Sequence, residues 1–167
     1  IDPVTNTVMD SIGLTGPGNA QFATVGADGL LYVMNSGKYG SGVGWLSVVD
    51  PVGRQELAGF SGFGNSPGPV AADGNTLFIA SYSEGVMTFN TDTRAVGRGS
   101  GSGIGIASNA SVASDGAGLV YAVSSGPCSG GRPGWAHIIR SDLTVGDSVS
   151  LGECSVSAQL SDIPPAP

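Results

Sequence analysis

Ala27-Asp28-Gly29-Leu30-Leu31-Tyr32-Val33 is a tight turn followed by an apolar run, and the chain writes it three times. It returns as Ala72-Asp73-Gly74-Asn75-Thr76-Leu77-Phe78-Ile79. It returns again as Ser114-Asp115-Gly116-Ala117-Gly118-Leu119-Val120-Tyr121-Ala122-Val123. Asp-Gly is turn chemistry: Gly accepts positive φ, and the Asp carboxylate bonds nearby backbone amides. The residues behind it are rich in the β-branched and aromatic types that strands favour. The Asp-Gly pairs lie 45 and 42 residues apart.

A second echo runs between the first ones. Ile1-Asp2-Pro3-Val4-Thr5-Asn6-Thr7-Val8 matches Val49-Asp50-Pro51-Val52-Gly53-Arg54-Gln55-Glu56 and Phe89-Asn90-Thr91-Asp92-Thr93-Arg94-Ala95-Val96. Arg140-Ser141-Asp142-Leu143-Thr144-Val145-Gly146-Asp147 is a weaker fourth copy. Each reads as a hairpin turn between two strands. The two echoes together define units of four strands. In the first unit, strand a is expected at 22–26, b at 30–34, c at 45–49 and d at 54–60. The second unit runs from about 69 to 98 and the third from about 110 to 151. Residues 1–13 are expected to supply strand d of a preceding unit, and residues 155–160 strand a of a following one.

A self-similar period of about 40–50 residues built from short strands marks a β-propeller blade. The runs Leu-Leu-Tyr-Val-Met, Leu-Phe-Ile-Ala and Leu-Val-Tyr-Ala-Val are nearly continuous in apolar residues. A strand apolar on both faces is covered on both faces, as blades stacked on neighbouring blades are. A sandwich would leave one face wet and alternate more cleanly. The expected fold is therefore all-β, a β-propeller of four-stranded antiparallel blades forming an incomplete ring. The repeats occupy residues 1–160, with blades at about 14–63, 64–103 and 104–154 flanked by partial blades. A Pro-rich tail follows at 161–167.

The units resemble the YVTN-type β-propeller repeat of bacterial surface and periplasmic proteins. Tyr32-Val33-Met34-Asn35-Ser36-Gly37, followed by Leu46-Ser47-Val48-Val49-Asp50-Pro51, is the nearest copy. The likeness spans about residues 1–155. The third unit departs from it with a long loop, a Cys pair and Arg140-Ser141 before the Asp. The resemblance implies a propeller in a secreted, periplasmic or surface-attached protein and is silent on activity. Rings of this kind close with about 4–8 blades. Three full units leave three arrangements open: a piece of a ring of six to eight blades, a ring completed by a second copy, or two ends sharing one blade. The first is favoured, because Ile1 opens inside a motif. Missing blades or self-association would cover end faces that otherwise expose apolar surface and strand edges.

Composition narrows the function classes. Six Lys and Arg stand against thirteen Asp and Glu, for a net charge of −7. Such a chain lacks the basic footprint that a phosphate backbone requires, so nucleic acid is not an expected partner. Many of the acids sit in the turns just described, so the net charge does not mark an acidic binding face. No apolar run approaches the length of about 18 residues needed to span a bilayer, so membrane insertion is not expected either. The expected partner is a protein or small-molecule ligand of unknown identity.

Cys128 and Cys154 are the only cysteines. Cys128 lies after strand b of the third unit and Cys154 just past its strand d. In a propeller both connections open on one face, so a disulfide is expected, in keeping with an oxidising compartment. Two unrelated thiols are the alternative.

Motifs for chemistry are sparse, and no cofactor, metal site or catalytic residue is assigned. One His, His137, excludes multi-His metal sites. It falls in strand c of the third unit and reads as structural before it reads as an acid or base. Gly64-Asn65-Ser66-Pro67-Gly68 matches G-x-S-x-G, but a nucleophile elbow needs a helix after it, and Pro67 and Pro69 precede a strand instead. Gly99-Ser100-Gly101-Ser102-Gly103-Ile104-Gly105 has no Lys and no following helix, so it is a connection and not a phosphate cradle. Asn109-Ala110-Ser111 is a lone N-x-S sequon. An enzyme of the lactonase or lyase type, with a polar or metal centre on the ring axis, and a purely structural repeat remain alternatives.

The asymmetry that points to a surface lies in the b–c connections. Unit two is short there, whereas units one and three are long and both end in Gly-Trp, at Gly44-Trp45 and Gly134-Trp135. Function concentrates in loops on a rigid scaffold, and Trp, Tyr and Arg anchor ligands and partners. Lys38, Tyr39, Trp45, Arg132 and Trp135 are the candidate ligand-binding residues, expected to ring one mouth. The competing reading has each Trp filling the widening gap between blades.

Overall fold

In the computed structural model, which describes residues 1–38 and 43–159, twelve strands form three four-stranded antiparallel sheets. Blade 1 comprises β1 (Ala20–Val25), β2 (Leu31–Asn35), β3 (Trp45–Asp50) and β4 (Gln55–Phe60). Blade 2 comprises β5 (Pro67–Asp73), β6 (Thr76–Ser81), β7 (Gly85–Asn90) and β8 (Ala95–Arg98). Blade 3 comprises β9 (Asn109–Ser114), β10 (Val120–Ser124), β11 (Trp135–Ile139) and β12 (Val145–Ser150). Each sheet is a simple meander in chain order, and among the described residues there is no helix. The ring is open.

The turns form as their residues dictate. Leu30 N donates to Asp28 Oδ1 at 3.2 Å, and Gly29 takes φ +76°. Asp115 Oδ1 accepts the amides of Ala117 and Leu119. Asp73 does something different: its Oδ1 accepts the Ser114 hydroxyl at 3.2 Å and the Gly118 amide at 3.3 Å, linking blade 2 to the turn of blade 3. The c–d turns repeat one another closely. Asn6, Arg54, Arg94 and Leu143 all stand in the left-handed region. Asp2, Asp50, Asn90 and Asp142 each accept a backbone amide two or three residues on.

Blade stacking makes the core. Tyr32, Met34, Leu46 and Val48 of blade 1 meet Leu77, Ile79, Met87 and Phe89 of blade 2, with Phe63 of the connection inserted between them. The Tyr32 hydroxyl donates to Asp28 Oδ2 at 2.8 Å, and burial followed by that carboxylate pushes the phenol's pKa up. The opposite faces of β6 and β7 give Phe78, Ala80 and Val86, which pack with Ile104 and Ile106 on Val112, Val120, Ala122 and Ile139 of blade 3. The middle blade is thus covered on both sides, as its unbroken apolar runs require. The outer sheets are less covered, and Val149 on β12 is 59% exposed.

The ends differ from expectation. Residues 1–13 keep the c–d turn, with one bridge between Asp2 and Thr7, but form no strand. A strand d pairs with a strand c, and the described residues offer none at this place. The following segment lies on the face of blade 1 turned away from blade 2, where Thr15 N donates to Glu56 Oε2 at 2.7 Å. Ile12 and Leu14 are half-buried between exposed neighbours. Residues 155–159 are likewise not a strand, although Ala158 N reaches Ser111 Oγ at 3.3 Å. Leu160 and the Pro-rich tail lie outside the described residues.

Candidate functional site at the mouth of the ring axis

The innermost strands β1, β5 and β9 pack side by side, so their first residues converge at one end of the axis. The same backbone device stands there in every blade. Asn19, Ser66 and Ser108, each immediately before its innermost strand, have φ of 60°, 50° and 53°. Asn tolerates this region; Ser adopts it at a cost of roughly 1–2 kcal/mol. Behind each, the ladder to the neighbouring strand slips, between Ala20 and Phe22, between Pro67 and Val70, and around Ala110. Bulges of this kind bend a strand, re-aim side chains and end its pairing. Here they open a cleft of about 350 Å³ reached by all three blades.

The cleft wall sets hydrogen-bonded polar groups beside apolar ones, and among the described residues no charged side chain lines it. Asn19 Nδ2 donates to Gly37 O at 3.2 Å, and Gln21 Nε2 donates to Asn19 Oδ1 at 3.3 Å. The Ser36 hydroxyl lies 3.0 Å from Gln21 Oε1 and 2.8 Å from Pro67 O, joining blade 1 to blade 2. Asn109, 2% exposed, donates from Nδ2 to Ser111 O and Val123 O, while its Oδ1 has no partner among the described residues. Phe22, Pro67 and Pro69 supply the apolar part, and Tyr82, 64% exposed, stands at the lip.

Of the five residues chosen from sequence, the four that are described do not line this cleft. Lys38 is exposed beside Gly37, a cleft residue. Tyr39 lies outside the described residues. Trp45 begins β3 on the face of blade 1 turned away from blade 2, and its ring packs on Gly59 and Gly16. It lines a second cleft of about 390 Å³ with Thr15, Val43 and Ser61, and its indole N–H has no acceptor among the described residues. Arg132 is exposed in the long loop of blade 3. Trp135 begins β11 at the register of Trp45 and is 42% exposed. Of the four described, only Trp45 lines either cleft.

Sequence reasoning passed over Asn19, Gln21 and Tyr82. One signal was present: a small polar residue stands seven positions before Asp73 and Asp115 and nine before Asp28.

His137 joins three strands of blade 3. Its Nε2 lies 3.0 Å from Ser124 Oγ and its Nδ1 2.8 Å from Ser148 Oγ. Burial lowers its pKa, which favours the neutral ring between two hydroxyls. No group of three or more His, Cys, Asp or Glu is placed to hold a metal among the described residues. The sequon at Asn109 is closed to modification in the folded chain, because that side chain is buried.

Cys128 and Cys154 form a disulfide that ties the long b–c loop of blade 3 to the segment that follows β12. Gly134 and Gly152 pair beside it through the Gly134 amide at 3.1 Å. Opening the bond frees a loop with a sequence separation of 26. Reduction, or Cys128→Ser with Cys154→Ser, should lower the unfolding free energy by about 2–4 kcal/mol. The urea midpoint with and without reductant measures it; an unchanged midpoint would show that the loop is held by its other contacts.

No family model and no curated protein sequence matches the chain. Solved structures do. The Kuenenia stuttgartiensis hydrazine synthase is similar at TM-score 0.59 and 19% identity, over 80% of this chain and 37% of that one. The Myxococcus xanthus glutaminyl cyclase is similar at TM-score 0.57 and 14% identity, over 87% of this chain and 59% of that one. The Dos1 propeller is similar at TM-score 0.54 and 13% identity, over 79% of this chain and 37% of that one. The chain therefore spans less than two thirds of each of these structures. Identities this low carry the fold alone. With the three meander sheets, they make the chain an all-β module of propeller blades in an open ring.

Proposed function

We propose that this chain is a ligand-binding segment of a YVTN-type β-propeller that works outside the cytoplasm. Its recognition surface is the ring face that carries the b–c loops and the inter-blade connections. The observation that carries the reading is the axial cleft, reached by all three blades where each innermost strand follows a residue in the left-handed region. Strained positions of this kind persist where surrounding structure over-determines them, and they cluster at ligand sites. Exposed Lys38 and Arg132, in the b–c connections, add contacts for a larger partner, and Tyr39 is assigned to the same partner from its place in the sequence. Trp45 and Trp135 contribute at the blade margins. The disulfide supports the compartment, because such bonds persist where the surroundings are oxidising.

The test is amide chemical-shift mapping on the isotopically labelled protein against a library of small fragments, glycans and short peptides. Binders should shift Asn19, Gln21, Ser66, Tyr82 and Asn109 together. Shifts confined to the outer sheet faces, or none from any compound, would overturn the reading.

A further inference from the structure

The axial cleft carries a ligand class as well as a location, a deepening that rests on the reading above. We propose that it takes a neutral saccharide, with one sugar ring stacked on Tyr82 and its hydroxyls bonded by the amides of Asn19 and Gln21.

Charge is the first argument. Among the described residues no Asp, Glu, Lys or Arg lines the cleft, although the chain carries nineteen such residues. An ionised ligand would lose water there and gain no counter-charge, which is costly. The second is the form of the polar groups. An amide presents a donor and an acceptor side by side, the pattern that neighbouring sugar hydroxyls complement. The amides are held before any ligand arrives, through Asn19 to Gly37 and Gln21 to both Asn19 and Ser36. Each side-chain nitrogen retains a further N–H. Preorganisation of this kind reduces the ordering cost of binding.

The third argument is the aromatic lip. Tyr82 is 64% exposed on the shortest of the b–c connections. Phe22, Pro67 and Pro69, which line the same cleft, are apolar. A flat ring and an apolar wall beside amides match a sugar, which has a C–H face and a hydroxyl edge. A peptide ligand is the competitor, since it can add to an open strand edge. The slips in β1, β5 and β9 fall at this mouth and interrupt the ladder such a peptide would need.

The experiment is calorimetric titration, with chemical-shift mapping in parallel. The probes are neutral trisaccharides of glucose, mannose and N-acetylglucosamine, together with trigalacturonate and an uncharged hexapeptide. At least one neutral trisaccharide should bind and shift the cleft amides. Tyr82→Ala should weaken it at least tenfold, Tyr82→Phe less than about threefold, and Gln21→Ala about tenfold, with urea midpoints unchanged. Trigalacturonate or the hexapeptide shifting the cleft amides while all three neutral sugars fail would overturn the neutral-saccharide assignment and leave the recognition face standing. Equal affinity of Tyr82→Ala and the parent for a neutral sugar would overturn the stacking geometry. Silence of the cleft to every probe would overturn the assignment, and the fragment library would then decide the broader reading.

Discussion

Replacing Phe89 by alanine should lower the unfolding free energy by about 3–5 kcal/mol, the range for deleting a large aromatic from a closed core. The side chain is fully buried. Its ring centre lies 4.9 Å from that of Phe60, 6.1 Å from Tyr32 and 6.4 Å from Phe63. Those partners belong to β4, β2 and the connection after β4, so one ring on β7 holds three separate pieces of blade 1 and its exit. None can follow a shrinking side chain, because each is fixed by its own ladder or turn. Urea denaturation followed by fluorescence measures the change, with Val52→Ala, at a position 89% exposed, as the control. A loss below about 1 kcal/mol for Phe89→Ala would mean that blades 1 and 2 are not stacked as described.

Gly85→Ala should cost at least about 3 kcal/mol, from two causes that a second glycine separates. Gly85 has φ +80°, a region costing an L-residue roughly 1–2 kcal/mol. A Cβ at this position would also collide with the carbonyl oxygen of Ile104. That carbonyl accepts the Val86 amide at 3.0 Å, and the Ile104 amide returns a bond to Val86 O at 2.8 Å. The pair fastens the connection between blades 2 and 3, with Ile104 and Ile106, into the second core cluster. Gly101 has nearly the same φ, +78°, with open space where a Cβ would go. Gly101→Ala should therefore show the backbone cost alone, roughly 1–2 kcal/mol. If the two variants lose the same stability, the close approach at Gly85 does not matter and the connection is looser than described.

Much of this architecture was legible because its signals are local. Asp-Gly at 28–29, 73–74 and 115–116 marks turns that the chain forms by itself. The repeated Asp2, Asp50, Asn90 and Asp142 predict side-chain acceptors at four hairpin corners, even where residues 1–13 lack a strand to complete. Strand limits fell within three residues of expectation, as at β5, which begins at Pro67 and not Pro69. The resting places of Ile12, Leu14 and Phe63 were not legible, since a single apolar residue in a glycine-rich connection looks like any loop residue.

The cleft was less legible still. Gln21, Ser66 and Asn109 are ordinary polar residues, each more than forty positions from the next, and only the convergence of three strand starts makes them one site. Trp45 and Trp135 attracted attention by type and shared register. Trp45 instead seats its ring on Gly16 and Gly59, which lack the side chains that would displace it. The composition of a loop says what it can bind, and its neighbours decide whether it faces a ligand.

Among the described residues, polar links cross between sheets from Ser36 to Pro67 at the mouth and from Asp73 to Ser114 and Gly118 at the opposite rim. Apolar contacts set how near two sheets come but permit sliding and pivoting; a hydrogen bond to a fixed atom does not. The wedge angle between successive sheets is therefore a property of a few rim residues, and so is the number of wedges that fill a circle. A descendant of this chain could move from one ring size to another by changing those residues while keeping its interior intact.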